Sequence, residues 1–325
     1  MPDIKKPRAG SLAYWPRKRA TRIYPAIKAY PKIDATKILG FAGYKAGMLQ
    51  AIVVDNRKGA PTFGQEITVP ITVIDCPPLK VLGIRAYKKT VKGLMAFTEA
   101  IIKDVPKFLE RKVKLKNLRT EEKLEKIEKK LDEIFDIRLI VCTQPHLSGL
   151  GKKKPEIFEI AIGGKNLKEK YEFAKSLLGK EITAKDFAKE GELVDAIAIT
   201  KGKGTAGPVK RFGVKIQTRH AKQKRRHVGS LGQERPGKVR HTVPMAGQLG
   251  FQRRTEFNKR ILKIGEHGEE IVPKGGFTGY GIIKGNYMLV EGSIPGPRKR
   301  LVLFRHAIRP GKHKFYIPEI KEVIK

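Results

Sequence analysis

Residues 67–75 read ITVPITVID, a run of mostly β-branched residues that suits a pleated, half-buried strand. Four more runs of this kind, 48–55, 81–87, 287–291 and 301–304, are bounded by Gly, Pro and Asn turns. They stand on both sides of a long stretch of different character, 104–196. The strands of one small barrel are therefore expected to come from distant parts of the chain, with the intervening stretch as an insertion. The fold class expected is mainly β with an α+β insertion.

The insertion has ordinary helix grammar. Thr120 is expected to cap a helix whose first turn is Glu121-Glu122, and Leu124, Ile127, Leu131, Ile134 and Phe135 recur at helical spacing. Asn166 with Glu169 and Thr183 with Asp186 mark two further starts, and Gly179 and Gly191 mark stops. Short β-branched runs at 137–142, 157–162 and 196–200 lie between them. Its 21 Lys/Arg and 18 Asp/Glu leave a net +3, so this surface is expected to face solvent.

The whole chain has 325 residues, 69 Lys+Arg and 32 Asp+Glu, a net charge of +37. The 232 residues outside 104–196 thus carry +34. A compact chain of this length has a radius of gyration of roughly 20 Å, against a Debye length of about 8 Å in physiological salt. So much like charge on so small a body requires a polyanion. No basic segment is attached to a strongly apolar amphipathic helix, which disfavours a membrane surface. No apolar run approaches the roughly 20 residues of a membrane span, and residues 1–6 carry no secretory pattern. Cys76 and Cys142 lack metal-ligand spacing and read as reduced cytosolic thiols. Nucleic acid is the expected partner.

Two segments concentrate the charge. Residues 1–37 hold ten Lys/Arg, two Asp and five Pro, with Tyr14, Trp15, Tyr24 and Tyr30 interspersed. Residues 201–260 hold 17 Lys/Arg, two Glu, nine Gly and three His. Neither has the contiguous apolar surface to offset about 1–2 kcal/mol of backbone entropy per residue. Both are expected to be ordered only against a polyanion, with Gly allowing close approach to phosphates and aromatics stacking on unpaired bases. The organisation expected is a basic N-terminal extension (1–37), a barrel (38–103 and 261–325), the inserted subdomain (104–200) and a basic central extension (201–260).

Enzymatic readings are weak. Gly202, Gly204 and Gly207 spell the dinucleotide-binding glycine pattern after a strand-like run. That site needs a helix opening at the third glycine, yet Pro208 follows without a helical apolar period. No acid for a ribose stands about twenty residues on, where the sequence is Arg219-His220-Ala221-Lys222. Gly149-Leu150-Gly151-Lys152-Lys153-Lys154 is a Lys-rich turn without phosphate-loop spacing. His267, between Glu266 and Glu269, reads as a surface turn rather than a metal site. His220, His227 and His241 lie among Arg and Lys and suit RNA contact better than general-base work. No catalytic residue, cofactor or metal is expected. A chromatin-compacting protein and an RNA-modifying enzyme are the rival classes, the former separated by equal affinity for duplex DNA and the latter by turnover.

Five motifs occur in order: Gly43-Tyr44-Lys45-Ala46-Gly47-Met48; the run 202–213; Gly229-Ser230-Leu231-Gly232-Gln233; Met245-Ala246-Gly247-Gln248; and Gly292-Ser293-Ile294-Pro295-Gly296-Pro297-Arg298-Lys299-Arg300. Together they resemble the universal large-subunit ribosomal protein L-three family in its archaeal form. Tyr14-Trp15-Pro16-Arg17-Lys18-Arg19 resembles the N-terminal extension of archaeal and eukaryotic members. The resemblance implies a six-stranded translation-type β-barrel with an inserted α+β subdomain and two basic extensions. It implies a non-enzymatic constituent of the cytoplasmic ribosome that binds large-subunit rRNA near its 3′ end, nucleates assembly, and supports the peptidyl transferase centre through the central extension. Implied neighbours are the ribosomal proteins L-fourteen and L-twenty-four-e, with no small-molecule substrate.

The residues expected at RNA are Arg17, Lys18 and Arg19 in the arm. In the central extension they are Lys201, Lys203, Lys210, Arg211, Arg219, His220, Lys222, Lys224, Arg225, Arg226, His227, Gln233, Arg235, Lys238, Arg240, Arg253 and Arg254. Arg298, Lys299 and Arg300 follow from the last motif. Gln233 matches a glutamine that is methylated in bacterial members, which makes it the expected modification site. Many relatives place a Trp at the extension tip. Here Glu234 follows Gln233, and the single Trp of the chain is Trp15.

Overall fold

The structure is a computed structural model that describes residues 14–57, 59–115, 118–221, 224–235, 237–311, 317 and 319–325. It divides into two compact units, the described residues up to Ile23 with Ile199–Arg254, and Tyr24–Ala198 with Thr255–Lys325. In chain order the larger unit begins with β1 (Gly40–Val54), β2 (Glu66–Asp75), β3 (Leu79–Thr90), β4 (Gly93–Ile101), α1 (Thr120–Glu128), β5 (Asp136–Cys142) and β6 (Ile157–Ala161). It continues with α2 (Leu167–Leu177), β7 (Glu181–Ile182), α3 (Ala184–Phe187) and β8 (Leu193–Ile199). The chain then forms β9 (Thr205–Ala206), α4 (Pro208–Phe212) and β10 (Gly247–Gln248) before β11 (Arg253–Gly265), β12 (Tyr287–Glu291), β13 (Leu301–His306) and β14 (Glu319–Ile324).

Seven strands form one sheet in the order β13-β8-β11-β12-β2-β1-β14, and an additional β13–β1 pairing closes six of them into a ring. β1 makes this closure possible. Its first half pairs with β13, Gly40 opposite Arg305 through Tyr44 opposite Leu301. Its second half pairs with β14, and an irregularity between Lys45 and Gly47 separates the two halves in its register with β2. Gly43 is required at this bend, because a Cβ there would stand 2.4 Å from Ile74 Cγ2 and 2.9 Å from the Asp75 carbonyl.

The second sheet has the order β4-β3-β5-β6, with β7 on β3, and α1 and α2 pack on β4 and β5. One apolar cluster joins the sheets, with Phe41, Ile71, Val302 and Phe304 beside Ile84, Leu139 and Ile160. The pairing corrects the boundaries expected from sequence. Residues 81–87 lie in β3, which pairs with β5 of the second sheet, whereas 196–199 lie in β8, paired with β13 of the ring. Strand-like composition marks a strand but not its neighbour, so linear order misassigns both. Residues 24–37 also belong to the larger unit, with Tyr24 and Ile27 buried in its core and the Tyr30 hydroxyl donating to the Glu159 carbonyl at 3.1 Å. So do residues 255–260, which are part of β11.

Helix starts fall where the sequence puts them, with different capping chemistry. Asp186 accepts the Thr183 N–H at 2.8 Å in a capping box. Asn166 instead donates to the Glu169 carboxylate at 2.6 Å. Thr120 is the first helical residue rather than the cap, and its hydroxyl donates to the Ile101 carbonyl at 2.5 Å, tying α1 to the end of β4. Phe135, expected inside, is 54% exposed beside Lys89.

Two buried carboxylates hold the ring. Asp195 on β8 lies opposite Arg305 on β13 and accepts its Nε at 3.1 Å. Asp195 also accepts the Asn258 N–H at 3.1 Å, while Arg305 donates to the Ala29 carbonyl at 2.7 Å. Asp195→Asn would leave Arg305 a buried, unpaired cation, at a cost of about 3–5 kcal/mol. Urea unfolding of the full chain checks this.

Asp75, opposite both Tyr44 and Tyr287, accepts the Tyr280 hydroxyl at 2.6 Å. Burial pushes its carboxyl up to about 6, against partial relief from that hydrogen bond. A carboxyl raised on folding contributes stability that is present below its unfolded value of about 4. That stability is lost as pH rises through the folded value. Asp75→Asn should therefore gain on the parent chain by about 2–3 kcal/mol between pH 4 and 7, read from unfolding midpoints at the two pH values.

Candidate nucleic-acid interface

The smaller unit has few regular hydrogen bonds, and its frame is built largely from rings and guanidinium groups. β9 and β10 pair Ala206 with Gly247 and Thr205 with Gln248. Lys203 N–H donates to Leu249 O at 2.9 Å, and Leu249 N–H donates to Gly204 O at 2.9 Å. The segment between them opens with α4. The sequence reading expected no helix after Gly207, yet proline suits a first helical position because it has no N–H to leave unsatisfied and its φ is preset. Gly213, at φ 69°, ends the helix in the left-handed region. The glycine spacing remains without dinucleotide chemistry, since Arg219 and His220 occupy the place of a ribose-binding acid.

α4 delivers Phe212 into the unit, where it is buried. The Trp15 ring stacks on it at 5.9 Å, and His241 meets Trp15 edge-on at 6.0 Å. The guanidinium carbons of Arg17 and Arg211 lie 4.5 Å and 5.0 Å from the Phe212 centroid. Arg254 lies 4.5 Å over Tyr14 and Arg19 lies 5.3 Å over Phe251, while Ala20 N–H donates to Phe251 O at 2.8 Å. Guanidinium over an aromatic face contributes on the order of 0.5–2 kcal/mol per pair. Tyr14 and Trp15, expected to stack on bases, each meet a partner within this unit, while Tyr14 stays 52% exposed. The N-terminal segment and the central segment order each other here, through rings too scattered in sequence to read as an apolar run.

Three of the expected phosphate contacts are half-buried frame residues. Arg211 donates from Nε to Gln248 O at 3.1 Å and from Nη1 to Met245 O at 2.8 Å. Arg254 donates to the Gln252 side chain at 3.1 Å, and Arg17 lies over Phe212. Burial first, and the nearby Arg17 charge second, lower the Arg211 pKa. Burial also lowers that of Arg254, with Arg17 adding to it and Tyr14 opposing it. Among the described residues no ion pair engages Arg17, Arg211 or Arg254.

The remaining residues face outward. Lys18, Arg19, Lys201, Lys203, Lys210, Arg219, His220, Lys224, Arg225, Arg226, His227, Gln233, Arg235, Lys238, Arg240 and Arg253 are exposed. Arg225 turns its Nε back to the Gln217 carbonyl at 3.3 Å. Lys222 lies outside the described residues. Glu234 is the single carboxylate between 199 and 254, which hold fifteen Lys/Arg. Among the described residues no ion pair engages Lys201, Lys203, Lys210, Arg219, Lys224, Arg226, Arg235, Lys238 or Arg240. In the larger unit, by contrast, Glu128 pairs with Lys175, Glu133 with Lys88, and Glu159 with Arg85 and Arg138. Arg298, Lys299 and Arg300 lie in the larger unit, on the turn between β12 and β13.

Residues 1–324 match the family model described as Ribosomal protein L3. The chain belongs to the ribosomal protein L3 family. Its relatives include the large ribosomal subunit proteins uL3 of Methanopyrus kandleri, 51% identical over 95% of this chain and 87% of the relative, and of Methanosphaera stadtmanae, 48% identical over 98% and 96%. That of Archaeoglobus fulgidus is 49% identical over 95% and 94%. Membership makes the chain a structural, non-enzymatic ribosomal protein.

In this L3-family chain, charge counting found the exposed cations but missed the rings that hold them. Phe212 and Phe251 carry the frame, and the one available signal was their isolation among basic residues. Trp15, as the single tryptophan, reports on this frame directly. Phe212→Ala should red-shift Trp15 emission and raise its quenching by acrylamide in the RNA-free chain. Unchanged emission would mean that the ring stack does not exist in solution.

Proposed function

We propose that the chain is a structural constituent of the large ribosomal subunit that braces rRNA electrostatically. The smaller unit threads between RNA segments and neutralises phosphates that would otherwise repel. The observation that carries this reading is the set of exposed cations without carboxylate partners, held on a frame of rings rather than on mobile tails. Arg17, Arg211 and Arg254 keep the frame together. Lys201, Lys203, Lys210, Arg219, Lys224, Arg226, Arg235, Lys238 and Arg240 meet phosphates, with Arg favoured where two oxygens are held at once. Gly residues between these cations let the backbone approach the phosphates closely.

The finer reading follows the family resemblance. The six-stranded ring is the translation-type barrel, the chain binds near the 3′ end of large-subunit rRNA and nucleates assembly, and the extension around Gly232 and Gln233 supports the peptidyl transferase centre. L-fourteen and L-twenty-four-e are the proposed protein neighbours, and Gln233, exposed beside Gly232, is the proposed methylation site. Intact-mass measurement on the native chain reads the added methyl.

Binding to a 3′-domain transcript of archaeal large-subunit rRNA should weaken by roughly 10³–10⁵ between 50 and 200 mM salt if about 6–10 phosphate contacts dominate. Lys203→Gln with Lys210→Gln should lower the salt slope by about two, with little effect on unfolding. An affinity that barely changes with salt would overturn the brace. Co-sedimentation with the large subunit at high salt, in one-to-one amount, tests its place in the particle.

A further inference from the structure

Most strand edges of the larger unit are closed. β13 pairs with β1 to complete the ring. β6, one edge of the second sheet, is lined by the N-terminal segment, where Leu39 N–H donates to Ala161 O at 3.0 Å and Ile38 bridges Ile162. β14, an edge of the first sheet, places Glu319, Lys321 and Glu322 among six residues, and charge of this kind discourages a further strand. β4, the other edge of the second sheet, has neither protection over its first half. Among the described residues it pairs with β3 alone, and residues 94–97 make no other backbone hydrogen bond. Gly93-Leu94-Met95-Ala96 carries no charge and is exposed throughout.

The β3–β4 hairpin also outruns its sheet. β5 pairs with β3 only as far as Asp136 opposite Tyr87, so from Lys88 to Met95 the two strands stand alone. A two-stranded hairpin without a packed face is marginal in water. Successive residues of a strand point to opposite faces, yet Leu94 and Met95 are 44% and 52% exposed, so neither face is covered. Val91 is exposed at the turn. Met95 lies opposite Lys88 on one side of β3, and on the other side Phe135 donates its N–H to Tyr87 O at 2.7 Å and presents an exposed ring. Apolar side chains gathered in this way mark a contact surface.

The charge around this surface gives the chemistry of the partner. Residues 88–98 hold Lys88, Lys89 and Lys92 and no carboxylate. Glu133 engages Lys88 at 2.7 Å. Among the described residues no ion pair engages Lys89, Lys92 or Lys126, the last of which lies 5.5 Å from the centroid of Phe97 at the end of the exposed run. Phosphates would answer these lysines but leave Val91, Leu94 and Met95 against a charged backbone. A polypeptide strand bearing carboxylates answers both: its backbone pairs with the open ladder, its apolar side chains cover Leu94 and Met95, and its carboxylates meet the lysines.

We propose that the β3–β4 hairpin is a docking site for a protein partner, which adds a short acidic strand, apolar residues alternating with Asp or Glu, to the outer side of Gly93–Ala96. The register of β4 with β3 shifts after Ala96, which limits the added strand to the first half of β4. The site is a protein contact, separate from the cations that the smaller unit offers to RNA, and it stands or falls independently of the electrostatic brace.

Amide hydrogen exchange of the full chain tests this, with a blocked peptide of about ten residues alternating Val and Glu as the probe. Exchange over residues 93–97 should slow by about tenfold or more at saturating probe. A peptide alternating Val and Lys should leave it unchanged. The acidic probe also meets the exposed cations of 201–254, so the place of the slowing decides. Slowing confined to 201–254, equal slowing of 93–97 by both peptides, or no slowing at all would overturn the site.

Leu94→Asp with Met95→Asp, both at exposed positions, should keep the unfolding midpoint of the parent chain and abolish the slowing over 93–97. Parent-like slowing in that folded double variant would overturn the site. A 3′-domain transcript of large-subunit rRNA serves as the competing class of partner and should leave exchange over 93–97 unchanged. Slowing of these amides by the transcript, equal to that by the acidic peptide, would assign the hairpin to RNA and also overturn the proposal.

Discussion

The buried pair of Asp195 and Arg305 is the constraint on which the larger unit depends. It joins β8 to β13 in register, takes the Asn258 N–H from β11, and fastens the Ala29 carbonyl of the N-terminal segment. Four segments far apart in sequence meet at one pair of charges. A buried ion pair is not a strong source of stability in itself, because desolvation opposes the Coulomb gain. Its value here is geometric: a slip of one residue in the β8–β13 register would turn the carboxylate to the other face and strand both charges. The ring therefore closes in a single register.

The two units solve opposite electrostatic problems. In the larger unit carboxylates and cations are matched across the second sheet, where Glu159 meets Arg85, Arg138 and the Tyr87 hydroxyl. In the smaller unit carboxylates are nearly absent, and aromatic faces take their place beside the guanidinium groups. A ring quadrupole attracts a cation without neutralising it. The frame is thereby held together while its net charge is kept. A carboxylate in the same position would hold the guanidinium groups but cancel that charge.

Much of this was legible in the sequence. The strands at 67–75, 287–291 and 301–304, the helix start at Thr183, and the outward-facing cations of 201–240 were all read from residue types. Other features were not. Residues 81–87 and 196–199 exchanged sheets, because strand propensity is local while partner choice depends on register and burial. Arg211 and Arg254 looked like the other arginines, but Arg254 is half-buried over Tyr14 from the far end of the sequence, and Arg211 is held by the Met245 and Gln248 carbonyls of a later segment. The turn at 149–154 looked solvated for the same reason, since the Tyr44 ring meets Lys152 only in three dimensions.

By itself the sequence determined the β-rich class, the family through ordered motifs, and the sign and location of the charge. Those properties are sums over residue types or short local patterns. The tertiary structure alone decided which strands close the ring, and which arginines hold the frame and which face outward. Each of these depends on distances between segments far apart in the chain, and those distances are set by burial and register rather than by composition.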